Sequence, residues 1–186
     1  MKAVKFAAVV AILMVAALAS SCSKRPKEWI KIQPYGEDFS VLMPEDAVES
    51  IETRMYSGNP YECHAFKFYS KNKHTDIQLF EIDYIDAKGI GQYESEEIRK
   101  VFVARLTQER EQYFNSPCIS RKKINIAGFP ADEVVLMNPG DDLFYIIRFF
   151  IANDKIFSML VAIKSKKINP TEMGKFFDSF TIKSYS

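Results

Sequence analysis

The chain is poor in the residues from which small catalytic and metal centres are usually built. It has three cysteines, two histidines and one tryptophan in 186 residues. No C-x-x-C or H-E-x-x-H spacing occurs, so the strong sequence signals for a zinc site are missing. Seven glycines and eight prolines are too few for a fibrous or low-complexity protein. Gly89-Ile90-Gly91 lacks the third glycine and the strand-to-helix setting of a dinucleotide loop, and reads as a connector. Charge of one sign is also in short supply. Of the 25 basic residues, Lys2 and Lys5 leave with a cleaved leader, so 23 face 24 acidic residues, a balance of −1. Nothing then draws the chain onto phosphate backbones, and nucleic acid is excluded as the expected partner.

There is only one long apolar run, Phe6 to Ala19, preceded by Lys2 and Lys5 and followed by Ser20, Ser21 and Cys22. A positive start, an apolar centre and a small-residue end make a secretory signal; the run is too short for a stable membrane span. Ala17-Leu18-Ala19 would suit a cut before Ser20. The alternative, favoured here, is that Leu-Ala-Ser-Ser-Cys resembles the lipobox of bacterial lipoproteins, in which the cysteine after the cut is diacylated. The fit departs at one place, with Ala19 three residues before the cysteine and Leu18 one further back. Each buried lipid methylene contributes about 0.8 kcal/mol, so several chains on Cys22 anchor a domain durably. Residues 1–21 are thus expected to be the signal peptide, 22–28 a polar tether, and 29–186 one domain. Lys24, Arg25 and Lys27 in the tether would lie near anionic headgroups. Ser23 supplies no acidic retention signal, which favours an outer membrane or periplasmic face.

What the chain has in quantity is apolar and aromatic surface: 47% hydrophobic residues, with 15 Phe and 9 Tyr. That is enough for a real core and argues against disorder. Alternating patterns predict strands around 29–33, 39–43, 51–56, 62–70 and 75–85, the last two joined by the polar Ser70–His74 connection. A helix is expected from an N-cap at Ser95 to about Phe114, before Pro117, with a stripe of Ile98, Val101, Phe102, Arg105, Leu106 and Glu109. A meander follows, turning at Gly128-Phe129-Pro130, Asn138–Asp141 and Asn153-Asp154. In its third strand Leu143, Tyr145, Ile147 and Phe149 face one way, and Phe144, Ile146 and Phe150 the other, so the sheet needs cover on both sides. A short helix opens at Asn169-Pro170 with Met173, Phe176, Phe177 and Phe180 as its stripe. The fold class is α+β, an antiparallel sheet sandwiched by helices.

The segments Phe39–Pro44, Ile126–Val135, Tyr145–Ala162 and Lys175–Ile182 resemble a bacterial domain family. Its fold is shared by the photosystem extrinsic subunit PsbP and the Mog-type Ran-binding factor. The resemblance implies a sheet between helices and a mostly non-catalytic role through protein contacts. It implies no catalytic residue and no cofactor.

Candidate chemistry is therefore thin. Cys63 and His64 are adjacent on a strand and point to opposite faces, so they cannot readily share an ion with His74. Once Cys22 carries lipid, Cys63 and Cys118 are the remaining thiols, and a disulfide between them is weighed against two free, mostly buried thiols. Glu81 and Asp83 lie two apart on one strand face, which suits acid–base work, but Phe80, Ile82 and Tyr84 take the other face and a solvated polar face explains the pair. The run Arg105–Gln112 reads likewise as a solvated face of the helix. The expected function is an anchored, non-enzymatic envelope lipoprotein that binds an envelope protein partner. The alternatives are a small hydrolase using Cys118 or Glu81 and Asp83, and a carrier with a ligand pocket between sheet and helix.

Overall fold

The structure is a computed structural model and describes residues 28–56, 59–71, 76–87, 96–164 and 170–183. The leader, Cys22, nearly all of the tether, His74, the N-cap positions Ser95 and Asn169, and Gly89–Gly91 lie outside the described residues. In chain order the elements are β1 (Trp29–Ile32), β2 (Phe39–Pro44), β3 (Val48–Tyr56), β4 (Asn59–Tyr69), β5 (Ile77–Asp86), α1 (Glu96–Phe114), β6 (Cys118–Ile126), β7 (Phe129–Asn138), β8 (Leu143–Ala152), β9 (Lys155–Lys164), α2 (Pro170–Phe177) and β10 (Thr181–Ile182).

Seven strands form one antiparallel sheet in the order β3-β4-β5-β9-β8-β7-β6, and three form a second in the order β1-β2-β10. Two runs of hairpins, β3-β4-β5 and β6-β7-β8-β9, meet where β9 pairs with β5. Their turns use the chemistry that tight hairpins require. Asn153 (φ 47°) and Asp154 (φ 58°) are both left-handed between β8 and β9, as are Ala127 (φ 49°) and Gly128 (φ 93°) between β6 and β7. Such two-residue turns match the right-handed twist of the flanking strands.

The central strands are buried on both faces. In β9 eight consecutive residues, Ile156 to Ile163, are buried. One face carries Phe66, Phe80, Ile82, Tyr84, Ile146, Phe150, Phe157, Met159 and Val161. It is covered by the small sheet, through Phe39, Val41 and Met43, and by α2, through Phe176 and Phe177. The rings of Phe39, Phe150, Phe157 and Phe180 interlock there with centroids 4.9–5.8 Å apart, in the edge-on and offset arrangements aromatic pairs prefer. Ser179 Oγ accepts a hydrogen bond from Leu42 N at 2.8 Å and so ties the end of α2 to β2. The other face carries Val134, Leu136, Ile147, Phe149 and Leu160 under Val103 and Leu106 of α1, and Phe114 stacks on Tyr145 at 4.0 Å.

The two-faced patterning of β8 is as expected, with Tyr145, Ile147 and Phe149 in one cluster and Ile146 and Phe150 in the other. The expected sandwich of helices is corrected on one side. That cover is chiefly the β1-β2-β10 sheet, because Phe39, Val41 and Met43 alternate inward and only a strand presents such spacing to a core. The edge strand β6 is exposed and basic, and its cations meet acids on β7 across the register: Lys122 with Glu133 at 2.8 Å and Lys123 with Asp132 at 3.3 Å. A charged edge discourages pairing with further strands.

A bridge between Cys63 and Cys118 does not form, and both thiols are free. Cys63 is on β4 and Cys118 opens β6, with β5, β9, β8 and β7 between them. At about 4.8 Å per strand the separation is roughly 24 Å, against the 4.4–6.8 Å between Cα atoms that a disulfide spans, on the order of a fourfold excess. Cys63 is fully buried and its thiol is pushed up to about 12 by burial and then by the negative charge of Asp83. Iodoacetamide at pH 8 should therefore alkylate Cys118 in the native protein and spare Cys63 until denaturant is added, as read by peptide mass.

Candidate functional site

On the face covered by α1, the sheet is apolar under β7, β8 and β9 but becomes charged towards β3. Inward positions on neighbouring strands bring Glu52 and Arg54 of β3, Lys67 of β4, and Glu81 and Asp83 of β5 to that face. Lys67 stands directly opposite Glu81, and Ala65 opposite Asp83. The small Ala65 side chain leaves room for Arg54 to reach across β4 to the acids of β5. Helix α1 adds Leu106, Glu109, Arg110 and Tyr113, while β8 and β9 add Phe149, Ile156 and Ser158. Together they enclose a cleft of about 360 Å³.

Glu81 (4% exposed) and Asp83 (3% exposed) are deeply buried, which corrects the expectation of a solvated pair. Arg110, expected on a solvated helix face, is buried as well. Its guanidinium straddles the two carboxyls: Nη1 donates to Glu81 Oε1 at 3.3 Å, and Nη2 donates to Asp83 Oδ2 and to Ser158 Oγ, the latter at 3.1 Å. Arg54 approaches the same acids from β3, 3.3 Å from Asp83 Oδ2 and 3.8 Å from Glu81 Oε1. Lys67 donates to Glu52 at 2.6 Å near the mouth.

The helix is rotated from the expected stripe. Val103, Leu106, Thr107 and Arg110 face the sheet, while Val101 is 72% exposed and Arg105 pairs with Glu109 at 3.2 Å at the exposed rim of the cleft. The reason is electrostatic as well as apolar. The two acids buried on β5 have Arg54 on the sheet side and need a second cation from the covering layer, and Arg110 is the cation that lies in line with Val103 and Leu106 at helical spacing.

The two carboxyls sit in different environments. Burial pushes Glu81 up from 4.5 to about 7, and the negative charge of Asp83 adds to this against the pull of Arg110. For Asp83 burial acts in the same direction, but Arg110 and Arg54 outweigh it and hold the group below its usual range. Glu81 is therefore the member of the pair that carries a proton, and Asp83 the one that stays ionised. Such a divergence is what acid–base and ligand sites exploit.

Other candidates do not join this cleft. Cys118 lies on β6 with its backbone N donating to Glu111 at 2.6 Å, so the two halves of the hydrolase alternative are on separate strands. His64 stacks on Tyr84 at 5.1 Å and pairs with Glu62 at 2.8 Å, on the opposite face of β4 from Cys63. Among the described residues no group of histidine, cysteine and acidic side chains is placed to hold a metal ion. Arg54, Lys67 and Ser158 carry no mark in the amino-acid sequence that sets them apart as site residues. One signal for a buried pair was present: Leu79 and Ile85 bracket Glu81 and Asp83 on the same strand face.

No family model matches the chain, and no curated protein matches it. Among solved structures it is similar to the solution structure of cyanobacterial PsbP (CyanoP) from Synechocystis. The TM-score there is 0.49 at 7% identity, covering 88% of this chain and 98% of that one. It is also similar to the crystal structure of a protein of unknown function from Pseudomonas aeruginosa. That match has a TM-score of 0.38 at 16% identity, covering 79% of this chain and 90% of that one.

Two consequences are measurable. Replacing Arg110 with Ala leaves the buried acids only Arg54 and should lower stability in urea by up to about 3 kcal/mol, whereas Arg105→Ala, whose pair with Glu109 is exposed, should cost about 1 kcal/mol or less. Glu81 holds its proton to about pH 7 when folded and releases it near 4.5 when unfolded. The folded state thus binds more protons between these values, and its stability falls as pH rises across that window. Thermal melts from pH 4.5 to 7.5 should show this decline, and Glu81→Gln, which resembles the protonated acid, should flatten it.

Proposed function

We propose that the protein is a lipoprotein of the bacterial cell envelope, anchored through Cys22, whose PsbP-like domain works as a non-catalytic accessory module by binding a protein of the same compartment. The observation that carries the anchoring is the sequence Lys2, Lys5, apolar Phe6–Ala19, then Ser20-Ser21-Cys22. Among the described residues no helix is long and apolar enough to cross a membrane.

The PsbP-like part of the reading is supported by where the resembling segments fall. Phe39–Pro44 is β2, Tyr145–Ala162 is the β8-β9 hairpin, and Ile126–Val135 spans the turn into β7. Lys175–Ile182 runs from α2 into β10. These are the pieces that build the aromatic core, and a family signature made of core and turn residues should map there. The non-catalytic part is supported by the state of the candidate acids. Arg110 and Arg54 engage both carboxyls, and Ser158 Oγ accepts from Arg110. None of these groups is arranged as a nucleophile beside a free base.

A second reading is favoured by the cleft under α1, whose size is at the lower end for small-molecule sites: the domain also carries a small ligand. For the first reading, Cys22→Ala should abolish fatty-acid labelling and release or misprocess the protein. Crosslinking in living cells should recover a specific envelope partner with the wild-type protein and lose it with Cys22→Ala. Labelling that persists in the variant would refute the anchor, and crosslinking that captures no specific partner would refute the binding role.

A further inference from the structure

Strand β3 is the second edge of the seven-stranded sheet. It pairs with β4 and, among the described residues, with no other strand. Neither covering layer reaches it. Val48, on the face of α1, is 66% exposed, and Ile51, on the face of the small sheet, is 60% exposed. An edge of nine residues with both faces open presents a row of backbone N–H and C=O groups to any strand that can lie beside it. The edge β6 is blunted by Arg121, Lys122 and Lys123, all of one sign. β3 has no lysine, proline or glycine, and its charges are of both signs, with Glu52 and Arg54 two apart on one face.

We infer that β3 is a dimer interface, at which the edge strands of two copies of this chain pair antiparallel about a two-fold axis at Thr53. Adjacent antiparallel strands of identical copies are related by an axis normal to the sheet, so residues directly opposite share a face. With a side-chain period of two, that axis passes beside a residue and never between two. Centred on Glu52, it sets Glu52 against the same residue of the second copy; centred on Arg54, it does so with Arg54. Like charges directly opposite are destabilising. Centred on Ile51, it faces Glu52 with Ser50 and Arg54 with Val48, which satisfies neither charge.

Centred on Thr53, it places Glu52 of each copy opposite Arg54 of the other, and Ile51 opposite position 55 on the other face. Residues 50–56 of both strands are then paired. Glu52 and Arg54 already meet within one strand at 3.4 Å, so the four charges alternate in sign both along the strands and across the axis. An axis normal to the sheet keeps α1 of both copies on one side and the small sheet on the other. Both copies thus enter β1, a strand of the small sheet, on the same side of the joint sheet, which suits two anchors in one membrane. The clefts come side by side as well, because Glu52 and Arg54 line each of them. The pairing does not depend on the anchor, and lost fatty-acid labelling leaves it standing.

The test uses the full-length protein in detergent, with Cys118→Ser in the background because Cys63 is buried and Cys118 is not. Thr53→Cys places the two new thiols on residues whose Cα atoms lie about 4.5–5.5 Å apart in this register, inside the roughly 4.4–6.8 Å that a disulfide spans. Mild oxidation should link it into a species of twice the mass on a non-reducing gel. Ile51→Cys should stay unlinked, its two copies being about 13 Å apart along the strands. Ile51→Lys, at an exposed position, should abolish the Thr53→Cys link. In otherwise wild-type protein it should raise the dimer dissociation constant about tenfold or more, read by sedimentation in density-matched detergent. If Thr53→Cys does not fold, sedimentation of wild type against Ile51→Lys decides alone. Oxidation of Thr53→Cys in intact cells should give the same self-linked species. Wild type that sediments as a monomer at every concentration, linking at 51 as readily as at 53, a dimer unmoved by Ile51→Lys, or Thr53→Cys linked in cells to a different protein would each overturn the inference.

Discussion

Strand β9 runs through the interior of the seven-stranded sheet with eight successive residues shielded from water. A strand of that kind cannot exist at a surface, because exposing either face would forfeit the burial of several large side chains at about 25 cal/mol per Å². The remaining elements are answers to that constraint. On one side the chain folds β1, β2 and β10 into a second sheet and adds α2, closing an aromatic core around Phe39, Phe157 and Phe180. On the other a single helix, α1, lies over β7, β8 and β9 and extends towards β5.

One helix is narrower than a seven-stranded sheet, and the charged cleft follows from that mismatch. Beyond the ridge of Val103 and Leu106 the sheet face under β5, β4 and β3 is only partly apolar, with Leu79, Ile85 and Cys63 buried around the charged groups. Glu81, Asp83, Arg54 and Lys67 occupy the rest. Burying charge is costly unless each group is paired, so Arg110 reaches from α1 to both acids of β5. The same contact that holds the helix on the sheet thus sets the electrostatics of the cleft. Two neighbouring carboxyls acquire different proton affinities because Asp83 receives both arginines at closer range than Glu81 does.

Arg110 is both the tie between helix and sheet and the partner of Glu81, so a change in the charge state of Glu81 acts on that joint. The interlocked rings of the aromatic core lie on the other face of the sheet.

Period-two and period-three-and-four patterns in the amino-acid sequence were sufficient for the longer strands, for the existence of both helices and for the opposite faces of β8, because hydrophobic burial imprints its period locally. They missed the two-residue β10 and placed Phe180 in the stripe of α2, which ends at Phe177. Asn153-Asp154 likewise mark a turn through their own backbone preferences, whereas the turn expected at Gly128-Phe129-Pro130 falls at Ala127-Gly128, with Phe129 and Pro130 opening β7. What local pattern could not decide was the company each face keeps. Glu81 and Asp83 read as solvated because alternation with Phe80, Ile82 and Tyr84 is the same for a surface strand and for a charged pocket. Arg110 read as surface because a charged residue on a helix is usually exposed. The distance between Cys63 and Cys118 depended on strand order, which the sequence does not spell out. Only the packing of α1 over β5 and β9, a contact between residues dozens of positions apart, turned scattered charges into one buried site.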